Sequence, residues 1–377
     1  MCRMVKKRLK PNSLKKLTRE AWMAKYDVLI VGAGIAGLYA AMGLPQNKSV
    51  LVICKDVPWE CNTFYAQGGM TTALDKNDIA LHVRDTLEAG AFHNDKEAVE
   101  ILSRTSLETT KDIIRSGMEF DRDASGKILY AKEGAHSIAR VLHAGGDATG
   151  RYLHHFMMMR NKHGLQRNTL VYDLLIEDGR CYGVKATVNY QPTTIYADSV
   201  IIASGGVGSL YQYNTNSRTV SADIHGICVE KGIALEDMEM MQFHPTVFVK
   251  TPYARKLLLT EALRGEGAHI VNEAGERFLF DADPRGELAS RDIVSRAIFN
   301  YKREHPGEEV YLDFSMFDKE FFHSRFPNIT KQFASLGYYF PQNRVPISPA
   351  FHYAVGGIKS DLDGCIDGIE GLYVIGE

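Results

Sequence analysis

The sequence predicts an α/β fold in which a Rossmann-like domain is interrupted by an inserted α+β segment, and three observations lead there. An apolar run near the start passes through a glycine turn into a helix-like stretch. A second apolar run, at 201–206, ends in paired glycines. The length of 377 residues exceeds what one ordinary core fills, on a prior of about 100–200 residues per domain.

The first run, Tyr26-Asp-Val-Leu-Ile-Val31, has the continuous apolar pattern of a strand buried on both faces of a parallel sheet. It enters Gly32-Ala33-Gly34-Ile35-Ala36-Gly37, and Leu38 to Leu44 then reads as helix. In a dinucleotide-binding turn the first glycine permits the tight bend, the second lets backbone approach a pyrophosphate, and the third lets helix pack on strand. Free amides at the helix start attract the phosphates. The next strand, Val50 to Cys54, ends at Lys55, where an NAD-binding domain carries an acid for the ribose hydroxyls. Asp56 is only a partial substitute, which counts against an ordinary NAD dehydrogenase. Ile201-Ile-Ala-Ser204-Gly205-Gly206 reads as a buried strand delivering two glycines to a ligand.

Composition narrows the classes. The chain is 45% hydrophobic and 24% charged with a formal charge of −2, which argues against a nucleic-acid partner. Its apolar runs fall well short of the ~20 residues that span a bilayer, so no membrane partner is expected. Six cysteines are scattered without a Cys-x-x-Cys pair; no metal site is expected, and free thiols in a reducing cytoplasm are. Residues 1–25 carry nine Lys or Arg without the apolar core of a signal peptide. They read as a disordered tail, with Met23 as an alternative start.

Asn62-Thr63-Phe64-Tyr65-Ala66-Gln67-Gly68-Gly69 resembles the flavin-binding segment of the fumarate reductase and succinate dehydrogenase flavoproteins, a superfamily in which a lysine at the Lys55 position is usual. The resemblance runs from about residue 26 to the last residue, through Glu133-Gly-Ala-His-Ser137, Leu142 to Gly150, Ser204-Gly205-Gly206, Tyr211 to Asn216 and Ser221-Ala-Asp223. Ile224 and His225 depart from the superfamily pattern, where glycine and an apolar residue are common. Four further motifs follow in superfamily order: Gln242-Phe-His244-Pro-Thr246, Thr260-Glu261-Ala-Leu-Arg264-Gly-Glu-Gly267, Ser290-Arg291-Asp292 and His352-Tyr-Ala-Val-Gly-Gly357.

The resemblance implies a glutathione-reductase-like, two-dinucleotide-binding FAD domain at 26–236 and 347–377, an inserted capping domain at 237–346, and a C-terminal helical domain outside this sequence. The missing part includes a second substrate arginine, so the chain is expected to be a fragment that binds FAD weakly. FAD contacts are implied at Gly32, Ala33, Gly34, Ile35, Ala36, Gly37, Lys55, Asn62 to Gly69, Leu170, Val171, Ser204, Gly205, Gly206, Asp223 and Glu377. Covalently flavinylated members carry a histidine where this chain has Asn62, so the FAD is expected to be noncovalent.

Among superfamily members the chain is most similar to the L-aspartate oxidase family, in which a glutamate at the Glu133 position faces the substrate amino group. A carboxylate there supplies the charge-assisted hydrogen bond that tells aspartate from succinate. Gln242, His244, Thr260 and His352 are implied as substrate donors, Arg291 as the proton-transfer residue, and Glu261 and Arg264 as its relay. The implied reaction takes L-aspartate to iminoaspartate, with oxygen or fumarate as acceptor, as the first step of the quinolinate route to NAD. Functional coupling to quinolinate synthase goes with that role. A soluble fumarate reductase, or a non-catalytic FAD-binding fragment, is the alternative.

Overall fold

The computed structural model describes residues 25–253 and 255–377; the basic tail up to residue 24, and with it a start at Met23, lies outside the described residues. Lys25 itself opens the first strand, β1 (Lys25–Val31), one residue inside the expected tail.

The main sheet is built around β1 and the long β9 (Gln191–Ile202), which run parallel from Lys25 opposite Tyr196 to Val31 opposite Ile202. On the far side of β1 lie β2 (Val50–Ile53) and β6 (Gly164–Gln166), and beside β9 lies β17 (Leu372–Val374), all parallel. An antiparallel meander, β7 (Thr169–Glu177) and β8 (Arg180–Val188), completes the seven strands. Side chains alternate across the pleat. Leu29, Val31, Leu51, Ile53 and Ile202 enter one core, while Ile30, Val50 and Val52 enter another with Ala41 of α1 (Ile35–Gly43). That two-sided burial is why β1 reads as an unbroken apolar run.

The turn between β1 and α1 admits only glycine at two points. Gly32 has φ +124°, and a Cβ on it would stand 2.0 Å from the Ala203 carbonyl oxygen. A Cβ on Gly37 would stand 2.0 Å from the Gly32 carbonyl oxygen. Gly37 therefore seats the helix against the turn, the packing role expected of a third glycine.

Beside the glycine turn and α1 sit α2 (Asn62–Tyr65) and α5 (Thr149–Arg160). A small sheet of β3 (Met70–Thr71), β5 (Val141–Leu142) and β4 (Tyr130–Ala131) lies beside α3 (Asp78–Ala89) and α4 (Lys96–Arg115). Helix α6 (Asp223–Glu230) precedes a two-strand ladder of β10 (Leu235–Glu236) with β16 (Gly357–Ile358).

The inserted segment has its own antiparallel sheet, ordered β12 (Leu257–Leu258), β11 (Met241–Phe248), β15 (Val345–Ala354), β14 (Val310–Asp313), β13 (His269–Val271). It packs with α7 (Glu261–Gly265), α8 (Arg291–Glu304), α9 (Lys319–Arg325) and α10 (Pro327–Ala334) around a core rich in phenylalanine, including Phe314, Phe322, Phe326, Phe333 and Phe340. The last strand of this sheet to be reached, β15, runs to Ala354. The units are joined by polar contacts: the Asp147 carboxylate accepts from the Asn328 and Ile329 amides at 3.0 and 2.7 Å, capping α10 from across the boundary.

Candidate active site

Two clefts meet at Asn62, Thr63 and Glu377. The first is lined by Gly32 to Ala36, Lys55, Leu170 and Val171 of β7, Ser204 to Gly206, Asp223 and Glu377. Lys55 ion-pairs with Asp223 and hydrogen-bonds Ser221, so the lysine that replaces the expected acid is matched by a carboxylate from far along the chain. The Ile35 amide at the start of α1 donates to Thr63 Oγ1 at 2.9 Å. Asn62 is held at three points: Oδ1 accepts from the Ser217 amide at 2.8 Å, and Nδ2 donates to Asn216 at 2.7 Å and to Glu377 at 3.4 Å.

The second cleft runs from Asn62, Phe64, Tyr65, Ala66 and Gln67 to His352 and Tyr353, with Arg151, Arg255 and Lys331 also in its wall. At the adjoining centre, Arg291 at the start of α8 donates from Nε to the buried Glu261 and from Nη1 to Gln242 Oε1 at 2.8 Å. Glu261 opens α7, capped by Thr260, and its other oxygen lies 3.2 Å from Arg264. Arg264 is fully enclosed and donates to the Glu287 carbonyl at 2.6 Å. The result is a chain of cation, anion and cation in which Glu261 and Arg264 are buried and Arg291 is partly exposed.

Electrostatics sort these groups. Burial works to lower the Arg291 guanidinium, yet the adjacent Glu261 carboxylate outweighs it and holds the group above its ordinary value. Arg264 is shifted down, because its burial is complete and Arg291 repels it. Burial works to raise Glu261, but the two arginines hold it low and ionised. Glu133 moves the other way, raised by burial and by the nearby Glu261 charge.

Glu133 reaches the same centre from the first unit. Its Oε1 is inaccessible and has no hydrogen-bond partner. A Cβ built on Gly68 would lie 3.5 Å from that oxygen and 4.0 Å from Thr260 Oγ1. Gly68 therefore faces Glu133 and Thr260, while Gly69 packs closely against Val141 and Leu142.

The two histidines ride on paired strands, His244 on β11 and His352 on β15, with rings 5.1 Å apart and edge to face. The Thr246 amide lies 3.3 Å from His244 Nδ1. An amide can only donate, so the ring proton sits on Nε2. Burial and the Arg291 charge push both rings down, His352 to about 3, so both are neutral. His352 Nδ1 is 2.7 Å from Thr215 Oγ1.

Residues 27–377 match the model of the FAD binding domain family. The chain is 38% identical over 356 residues to the L-aspartate oxidase of Clostridium acetobutylicum, covering 93% of this chain and 80% of that protein. The chain belongs to the L-aspartate oxidase family.

A Bacillus subtilis L-aspartate oxidase is also 38% identical, over 359 residues, but the chain spans 66% of its length. In structure, the family fold is shared with E. coli quinol fumarate reductase, at TM-score 0.85 and 30% identity, with 94% of this chain and 64% of that one covered. No helix among the described residues is long and apolar enough to cross a membrane, and no cluster of three potential metal ligands occurs among them.

The first cleft fits the FAD that this family's domain binds. A Cβ on Gly34 would meet nothing nearer than Thr63 Oγ1 at 3.5 Å, so backbone there is open to close approach. Thr63 takes the Ile35 amide, and the backbone amides that follow it in the first turn of α1 suit a pyrophosphate. The L-aspartate oxidase motifs thus meet in space although they are scattered in sequence. Residues not named individually as site residues also take part: Thr215 and Asn216 fix His352, and Arg325 bridges Glu266 at 3.1 Å and the Gly146 carbonyl at 3.1 Å. Thr215 and Asn216 lie within the Tyr211–Asn216 motif. Arg325 has no sequence signal, because its partners come from remote segments.

Proposed function

We propose that this chain oxidises L-aspartate to iminoaspartate, passing the electrons to oxygen or fumarate, as the entry step of quinolinate and NAD synthesis. The observation that carries this reading is the Glu133 oxygen left without a partner beside Thr260 and Glu261. A buried acceptor needs a donor, and a substrate ammonium supplies one. The cytoplasmic location and coupling to quinolinate synthase belong to the same reading.

FAD bound in the first cleft supplies the acceptor for the hydride. The chain supplies the rest. Neutral His244 donates from Nε2 to a substrate carboxylate, and His352 and Thr260 add donors that a dicarboxylate requires. Gln242 and Glu261 fix the Arg291 guanidinium, so its remaining N–H groups face the substrate in one orientation. Oxidation removes a hydride from Cα and a proton from nitrogen; Glu133, raised by burial, takes that proton as the C=N bond forms. In fumarate reduction the proton moves to carbon, and Arg291 donates it while Glu261 and Arg264 restore it. Asn62 presents an amide already engaged at three points, which is not a group that links to flavin, so the cofactor is held noncovalently.

Anaerobic mixing of the flavin-loaded chain with aspartate or succinate tests the assignment. Bleaching by aspartate and not by succinate is expected. Bleaching by succinate alone would point to the second reading, a fumarate reductase, which the same histidines and arginine serve.

A further inference from the structure

Glu133 sits on a loop whose shape is set by a group of buried charges outside the substrate centre. Residues 133–136 form a turn closed by the His136 amide on the Glu133 carbonyl at 3.3 Å. Ala135 in that turn has φ +67°, a left-handed conformation that is strained for a non-glycine residue. A Cβ on Gly134 would come within 2.3 Å of Glu261 Oε1, so the turn lies directly against the relay carboxylate. Such a turn persists only where its surroundings fix it.

What fixes it begins one residue later. The Ser137 amide and hydroxyl donate to the two oxygens of Asp85, at 2.8 and 2.5 Å. Asp85 also receives Arg140 Nη1 at 2.5 Å. Arg140 has no exposed surface and grips Asp78 with Nη2 at 2.8 Å and Nε at 3.3 Å. Both carboxylates come from α3. His136 Nδ1 faces Arg140 Nη1 at 3.3 Å, and the guanidinium can only donate, so that nitrogen is an acceptor.

A fully buried arginine with two carboxylates is costly to desolvate and adds little net stability, yet it ties helix α3 to the C-terminal side of a strained turn. We propose that Asp85, Arg140 and Ser137 are positioning residues that hold the Glu133 carboxylate at the distance an ammonium group requires, and so set the preference for amino over non-amino dicarboxylates. This rests on the reading of Glu133 as the ammonium acceptor. The three residues touch no substrate; they act through the loop.

The test is calorimetric titration of the flavin-loaded chain with aspartate and with succinate, for the parent, Ser137→Ala, Asp85→Asn and Glu133→Gln. Succinate lacks the amino group and makes no demand on Glu133. Ser137→Ala removes one hydrogen bond and spares the buried charges, so it reports even where Asp85→Asn fails to fold. A shift of about 1 Å at a reacting group costs up to ~100-fold. Aspartate affinity is therefore expected to fall about tenfold or more in Ser137→Ala and Asp85→Asn, with succinate affinity within about twofold of the parent. Equal weakening for both ligands, or no change for either, overturns the positioning role. If Glu133→Gln leaves aspartate affinity intact, the underlying reading of Glu133 fails instead.

Discussion

At the scale of single residues, the proposed reaction divides its work between Arg291 and Glu133. Replacing Arg291 by Gln removes the ion pair with Glu261 and the proton donor together. Reoxidation of the reduced flavin by fumarate, followed by stopped-flow absorbance, is expected to slow by roughly 10²–10⁴-fold with flavin still bound. Glu133 must be ionised to meet an ammonium group, and its folded value is raised by burial and by Glu261. The kcat/KM for aspartate should thus fall on the acid side at a higher pH than an ordinary glutamate would dictate. Fumarate reduction, which has no amino group to bind, should not share that limb. A common acid limb for both reactions would argue against Glu133 as the discriminating group. Much of this centre was legible in the sequence because its residues sit in short local motifs. Arg325, Asp85 and Arg140 were not, since a buried charge pair made across remote segments leaves no local spacing to read.

Among elements, the glycine turn and the α10 cap make opposite kinds of demand. Gly32→Ala places a Cβ 2.0 Å from the Ala203 carbonyl oxygen at φ +124°, so β1 and β9 must separate. Denaturant unfolding should show a loss beyond the ~1 kcal/mol typical of point substitutions. Asp147→Ala removes an N-cap supplied from the other unit and is expected to cost about 0.5–2 kcal/mol. Because that cap spans the boundary, susceptibility of 319–334 to proteolysis should rise with it. The first demand was readable, since glycines mark tight turns wherever they fall in a strand-to-helix junction. The second was not, as Asp147 precedes α5 in the sequence and gives no sign that it caps α10. The partners of β15 were not readable either, because nothing in its own residues names β11 and β14 as its neighbours.

For the whole molecule, the histidines set the acid limit of stability. His82, His136, His143, His154, His225, His244 and His352 are all held below the ordinary value by burial, His143 to about 4 and His352 to about 3. A histidine whose folded pKa is depressed leaves stability intact above the unfolded value near ~6.5 and erodes it as pH falls below, since only the unfolded chain then takes up the proton. Each such ring removes about 1.4 kcal/mol per pH unit between its unfolded and folded values. The melting temperature should drop steeply from about pH 6.5 towards pH 4, and a flat profile over that interval would show the rings to be hydrated. The order of strands in the main sheet has a consequence for how the chain is made. β17 pairs with β9, yet the entire inserted segment is translated between them. At roughly 5–20 residues per second, the ribosome delivers a self-contained phenylalanine core before it delivers the strand that completes the cofactor sheet. The capping unit can therefore mature first, and the cofactor sheet is completed around a partner already folded.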